Sequence, residues 1–192
     1  MISRDFFTQN TSTIARQLLG TRLVHLESGR RLSGLIVETE AYRGEEDQGC
    51  HARAGLTPRT RVMYGQPGHA YVYFTYGMHF CTNVVTERKG VAGAVLLRAI
   101  EPVQGLERMR QLRGKQVGDT NLTNGPAKLC QAFGILREAN GVDLLGDEIF
   151  LARAPGESPG PIGSSTRVGI KVATERRWRF FLKGNPWVSV QR

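Results

Sequence analysis

The stretch from Ala70 to Thr86 constrains this chain more than any other. It strings together Tyr71, Val72, Tyr73, Phe74, Thr75 and Tyr76, and later Val84 and Val85. β-Branched and aromatic side chains at this density suit a pleated surface, so the segment predicts strand. Gly77 interrupts it and predicts a bulge or a sharp bend. Alternation puts Tyr71 and Tyr73 on one face and Val72, Phe74 and Tyr76 on the other. Of five tyrosines and eight phenylalanines in the chain, four rings fall within these six positions. Core strands favour Val and Ile. A surface that stacks nucleobases needs flat rings, each stacked base contributing about 1–3 kcal/mol.

The remaining pattern fits a sheet with a few helices. Thr11–Gly20 reads as a short helix with Thr11 or Ser12 as its cap and Ile14, Ala15, Leu18 and Leu19 as its apolar stripe. Strands are predicted near Thr21–Leu26 and Leu32–Tyr42, joined through Ser28-Gly29-Arg30. Gly44–Met63 is polar, rich in Gly and Arg, and reads as a long loop. Ala94–Ile100 is a further strand, ended by Pro102, and a basic helix follows over Gln104–Arg113. Gly125-Pro126 opens another helix, with Gly134 past its end. Ala154–Ser165 is a Pro/Gly/Ser-rich loop, and strands resume at Arg167–Val172 and Arg179–Leu182. Short turns between consecutive strands predict a mainly antiparallel sheet, and no repeat or domain boundary breaks the chain.

Charge narrows the partner. Lys and Arg total 26 against 17 for Asp and Glu, a net charge of +9 over 192 residues. Such an excess points to an anionic partner, with DNA, RNA and acidic membrane all open on charge alone. Its densest runs are Arg108–Arg113 and Glu175–Arg179. No apolar run reaches the roughly 18 residues that span a bilayer. The opening Met1-Ile2-Ser3-Arg4-Asp5 lacks a secretory apolar stretch. Cys50, Cys81 and Cys130 are odd in number and lack CxxC spacing, which fits a reducing compartment. Cys50-His51 and His79-Phe80-Cys81 bring ligand types together, but buried cysteine is the better account of them, so no metal is expected. Dinucleotide, P-loop, zinc-protease and serine-hydrolase motifs are all absent.

One more segment carries chemistry. In Ile36-Val37-Glu38-Thr39-Glu40-Ala41-Tyr42, alternation gathers Ile36, Glu38, Glu40 and Tyr42 on one face. A carboxylate beside a ring is what a base-binding site needs to activate water next to a stacking surface. Taken alone, however, the segment reads as an acidic, solvent-facing strand end, and spacing does not choose between Glu38 and Glu40. Lys128, in the first turn of its helix, lies where free N–H groups hold phosphate, although ordinary capping accounts for it nearly as well.

These segments together resemble the alkyladenine (3-methyladenine) DNA glycosylase family. The resemblance is carried by Val37–Tyr42, Thr57-Pro58-Arg59, Tyr71–Met78, Val95–Ala99, Asn124–Gln131, Arg167-Val168-Gly169 and Phe181–Ser189, in order over nearly the whole chain. It implies one mixed α+β domain over residues 1–192, a curved, mainly antiparallel sheet surrounded by helices. The implied reaction is hydrolysis of the N-glycosidic bond of damaged purines: 3-methyladenine, 7-methylguanine, hypoxanthine and ethenoadenine. By the same resemblance Glu40 is the general base and Glu38 is structural, while Arg98 and the backbone carbonyl of Val168 hold the water. Tyr42, His51 and Tyr73 enclose the extruded base, and Asn83 forms the floor that disfavours the 2-amino group of guanine. Tyr76, with Met78 beside it, fills the gap in the duplex, and Arg59, Arg61 and Lys128 contact the DNA backbone. No cofactor is implied. The expected partner is double-stranded DNA containing damaged purines, bound by a monomer in the cytoplasm (on the nucleoid in a bacterium), with no membrane and no obligate protein partner.

Two rival readings remain. An RNA-binding module would use the same tyrosines as a platform and would need no carboxylate among them. A bifunctional glycosylase would need an amine nucleophile in the pocket, and Lys128 and Lys183 are the only lysines in the matching segments.

Overall fold

The computed structural model describes residues 2–114, 116–153 and 159–189. Within them, three helices, α1 (Thr11–Gln17), α2 (Leu106–Arg113) and α3 (Pro126–Phe133), pack around one sheet. Its strands are β1 (Arg22–Glu27), β2 (Arg30–Tyr42), β3 (Ala70–Thr75), β4 (His79–Val85), β5 (Ala94–Gln104), β6 (Ile149–Ala152), β7 (Ile162–Ser165) and β8 (Arg179–Leu182). The order is β3-β4-β5-β2-β1-β6, with β8 on β2 and β7 on β8. All these pairings are antiparallel, so the expected mixed α+β class holds.

β2 organises the site. One edge pairs with β5 along most of its length, while the other passes from β1 at Arg30–Leu35 to β8 at Glu38–Glu40. With neighbours on both edges, Ile36 to Ala41 are all buried. Register slips between Ile36 and Glu38 and between Glu38 and Thr39 mark irregularities against β5. Irregularities of this kind bend a strand and re-aim its side chains. Ile14 and Ala15 of α1, Leu18 just past its end, and Leu129, Cys130, Ala132 and Phe133 of α3 join the core with Leu32, Ile36, Leu97 and Ile100. Each large side chain fully buried there contributes about 1.5–3 kcal/mol.

The expected bend at Gly77 is the turn of a hairpin. Met78 N–H donates to the Thr75 carbonyl at 3.3 Å, and Tyr76 and Gly77 have φ of +51° and +69°. Both central residues at positive φ give the type I′ geometry that matches strand twist. Glycine adopts it freely, whereas a tyrosine there costs about 1 kcal/mol. The β1–β2 turn and α3, with Pro126 in its first turn and Gly134 at its end, also lie where the sequence places them.

Several expectations are corrected. Asn10, rather than Thr11 or Ser12, caps α1: its side chain accepts from Ser12 N–H at 3.0 Å, and Thr11 instead donates to Glu87. Pro102 does not end β5, which runs on to Gln104. Beyond Leu96 β5 no longer pairs with β4, so Pro102 sits where a missing N–H is tolerated, next to a register slip. Gly44–Met63 contains 3-10 turns at Gly44–Glu46, His51–Ala54 and Arg61–Tyr64. Of the loop expected at Ala154–Ser165, positions 154–158 lie outside the described residues and Ile162–Ser165 is strand β7. Arg167–Val172 forms no strand, because Arg167 turns inward and the Val168 amide bonds a side chain instead of a neighbouring strand. β6 has no counterpart in the sequence reading.

Among the described residues, no helix is long and apolar enough to cross a membrane, and no three His, Cys, Asp or Glu side chains gather as a metal site. The three cysteines are free and buried.

Candidate active site

The acidic strand end faces inward. Glu38 and Glu40 are both 0% exposed, which overturns the solvent-facing reading. Two buried charges of one sign demand compensation, and it comes from β5 and β8. Arg98 Nε donates to Glu38 Oε1 at 2.8 Å, and Arg179 Nε reaches the same oxygen at 2.7 Å. Ser189 adds its N–H to Oε2 at 2.6 Å and its hydroxyl to Oε1 at 2.8 Å. Burial alone would raise the Glu38 pKa, but Arg98 and Arg179 outweigh it and hold the carboxyl below its ordinary value. Burial likewise works against a charged Arg98, yet Glu40 and Glu38 push its pKa up.

Glu40 is held differently. Oε1 accepts the Val168 N–H at 2.7 Å and lies 3.3 Å from Arg98 Nη1, while Oε2 accepts the Tyr42 hydroxyl at 2.8 Å. Burial and the neighbouring Glu40 carboxylate push the Tyr42 phenol far above its ordinary pKa, so it stays a donor. It is the amide N–H of Val168 that meets Glu40.

Arg98, Tyr42 and Val168 also line a cavity of about 260 Å³, together with His51, Tyr71, Tyr73 and Asn83. Tyr71 and Tyr73 come from alternate positions of β3, as predicted. The His51 and Tyr73 ring centroids are 4.5 Å apart at 86°, and Tyr71 and Tyr73 are 5.6 Å apart. Asn83 donates its Nδ2 to the Tyr71 carbonyl at 2.9 Å. Arg59 lies 5.4 Å from the Tyr73 ring centre and contacts His51 Nε2 at 3.2 Å. A guanidinium only donates, so Nε2 is the acceptor and Nδ1–H points to the Tyr71 hydroxyl 3.1 Å away. His51 sits at the rim, exposed on one side. The crowding of its inner side by rings, and then Arg59, push its pKa down to about 4.

Tyr76, 87% exposed, and Met78, 70% exposed, project from the hairpin tip, and Tyr76 also borders the cavity. Arg61 is exposed. Lys128 is half-buried, its Nζ 2.7 Å from Asn124 Oδ1 and 3.2 Å from Asn121 Oδ1.

Three groups in the site escaped the sequence reading. Arg179 belongs to one of the two densest basic runs, yet it is buried on Glu38. Ser189 arrives from the far end of the chain. Asp47 and Arg167, 120 positions apart, form a fully buried ion pair with Nη2–Oδ1 at 2.7 Å and Nη1–Oδ2 at 2.5 Å. The signal available for Arg179 was its place in a predicted strand, where alternation puts every second residue inside.

A mixed α+β fold with a buried carboxylate pair beside a ring-lined cavity is what the structure shows. Comparison with known proteins makes it specific: the chain belongs to the methylpurine-DNA glycosylase family, whose model matches residues 5–186. It is thus a DNA glycosylase. A protein of Chlorobaculum tepidum is 48% identical over 189 residues, covering 98% of this chain and 90% of its own length. One of Clostridium acetobutylicum is 48% identical over 198 residues, covering 97% and 96%. One of Methanocella arvoryzae is 46% identical over 193 residues, covering 98% and 96%. All three bear the name "Putative 3-methyladenine DNA glycosylase".

Proposed function

We propose that this glycosylase is monofunctional: it turns a damaged purine out of duplex DNA and hydrolyses the N-glycosidic bond with a water activated by Glu40. The observation that carries the reading is the sealed carboxylate beside a ring-lined cavity. A base inside a duplex is out of reach, and extruding it costs a few kcal/mol. Tyr76, with Met78 beside it, enters from the minor groove and occupies the vacated space. Tyr42, His51 and Tyr73 enclose the purine, and Asn83 at the floor disfavours the 2-amino group of guanine. Arg59, Arg61 and Lys128 serve the DNA backbone.

The sugar gains oxocarbenium character as the bond to the base breaks. Glu40 stabilises that charge and takes a proton from the water whose oxygen bonds to C1′. Arg98 and the Val168 carbonyl hold that water. The purine leaves with the bonding electron pair, and an abasic site remains. 3-Methyladenine and 7-methylguanine leave without an acid because they already carry positive charge, whereas neutral hypoxanthine and ethenoadenine must gain a proton on the ring as the bond breaks. The fully buried Glu38 anchors Arg98.

The cavity lining among the described residues includes no lysine, which supports hydrolysis over a lyase step through a Schiff base. The buried carboxylates count against a plain RNA-binding platform, which has no use for them. The test is gel-resolved strand cleavage at abasic products from duplexes holding one defined lesion each. Release of damaged purines without a borohydride-trappable adduct is expected. Inertness across the whole panel, or a trapped covalent adduct, would overturn the proposal.

A further inference from the structure

The buried Asp47–Arg167 pair lies behind the Ala41–Tyr42 side of the site without lining the cavity itself. Arg167 Nη1 donates to the Ala41 carbonyl at 3.0 Å, between Glu40 and Tyr42 in the chain. Its guanidinium carbon lies 4.7 Å from the centre of the Tyr42 ring and 5.3 Å from that of Trp178. The residue that follows it, Val168, gives its N–H to Glu40. Asp47 in turn organises the approach to His51, accepting from Arg43 N–H at 3.2 Å and Gly49 N–H at 3.0 Å, while its carbonyl takes the Cys50 N–H at 2.9 Å.

We infer that Arg167, locked by Asp47, is a positioning residue for the reaction, because it sets both of the donors that grip Glu40 by its two oxygens. The inference rests on the proposed role of Glu40. Tyr42 holds Oε2 and is backed by the guanidinium face, and Val168 holds Oε1 and is carried by the Arg167 backbone. Only a planar fork can pair with a carboxylate through two nitrogens, reach a carbonyl and stack on a ring at once, so lysine is not equivalent here. A buried ion pair is a poor source of net stability compared with apolar packing. Placing one behind the acting carboxylate makes sense as geometry control. Gly49 fits this account: a Cβ there would lie 2.9 Å from Arg167 Nη2 and 3.4 Å from Asp47 Oδ1. A methyl group at position 49 would therefore press on the end of the guanidinium.

The experiment measures single-turnover excision from a lesion-bearing duplex over a range of enzyme concentration, on Arg167→Lys and Gly49→Ala. Displacements near 1 Å at a reacting group lower rates by about 10²-fold. Arg167→Lys is expected to lose about that factor in maximal rate, with little change in the enzyme concentration giving half-maximal rate. Gly49→Ala, which keeps both charges and presses on the guanidinium end of Arg167, is expected to lose rate in the same direction by a smaller factor and carries the test if the lysine variant does not fold. A lowered melting temperature with an unchanged maximal rate in the folded variants would overturn the inference, since that is the mark of a purely structural pair. So would a shift in the half-maximal concentration alone. Failure of the unsubstituted protein to release any purine would overturn the proposed function itself.

Discussion

At Glu40 the protein surrounds a carboxylate with two hydrogen-bond donors, a guanidinium and no solvent, whereas at Tyr76 it leaves 87% of an aromatic residue exposed at the tip of a hairpin. The first group stands on a strand with neighbours along both edges. The second stands on a turn where only two strands meet and the backbone is strained. The difference follows from what each is proposed to meet. An acid–base group acts through tenths of an ångström, so every oxygen is tied. A wedge acts by filling space in another molecule, so its contact surface stays open until DNA supplies the partner.

The largest expected effect comes from breaking the tied end. Glu40→Gln should keep the side chain's shape and the affinity for lesion duplex while lowering single-turnover excision by about 10²–10⁴-fold. Undiminished release of hypoxanthine would remove Glu40 from the mechanism. Next is Glu38→Gln, which withdraws the charge shared by Arg98 and Arg179. Breaking a buried pair from one side costs about 3–5 kcal/mol, read as a lowered denaturant midpoint. A change under about 1 kcal/mol would show that the network is not needed for folding. Tyr76→Ser tests the open end. Binding to a lesion in paired duplex should weaken on the order of 10-fold, and binding to an already unpaired lesion much less. Equal losses would mean that the ring does not replace a stacked base.

The smallest effect belongs to His51, at the border between the two regions. Its folded pKa of about 4 lies below the ordinary 6.5, so the unfolded chain takes up the proton first as pH falls. Whatever stability its neutral form contributes is complete above pH 6.5 and is lost as pH drops from there toward 4. The thermal midpoint of the protein should therefore fall slightly more over that interval than that of His51→Gln. The imidazole carbon resonances of His51 should titrate with a midpoint near 4. A midpoint near 6.5 would mean that the rings and Arg59 do not shield it.

Local chemistry made much of this legible. Ser28-Gly29-Arg30 announces its hairpin, Gly77 announces a bend though not the hairpin that it makes, and Gly125-Pro126 with Gly134 brackets α3. Alternation alone pairs Tyr71 with Tyr73 and sets Glu40 beside Tyr42. The rest depended on distant partners. Nothing within the strand containing Glu38 reveals that Arg98, Arg179 and Ser189 will neutralise and satisfy it, so an inward strand looked outward. The sequence near Pro102 gives no hint that β4 has already left β5 there. Val168 looks like a strand residue until the oxygen of Glu40 claims its amide.

The link between Glu38 and Ser189 joins positions 151 apart, and it ties the timing of synthesis to that of competence. A nascent chain emerging from the ribosome exposes its aromatic hairpin and acidic strand long before the segment that completes the support beneath them. Until Arg179 and Ser189 follow, Arg98 lacks its anchored counter-ion and two carboxylates share one guanidinium. The footing of the site is therefore drawn from both halves of the chain, and without Ser189 the Glu38 carboxylate would lose two of its donors.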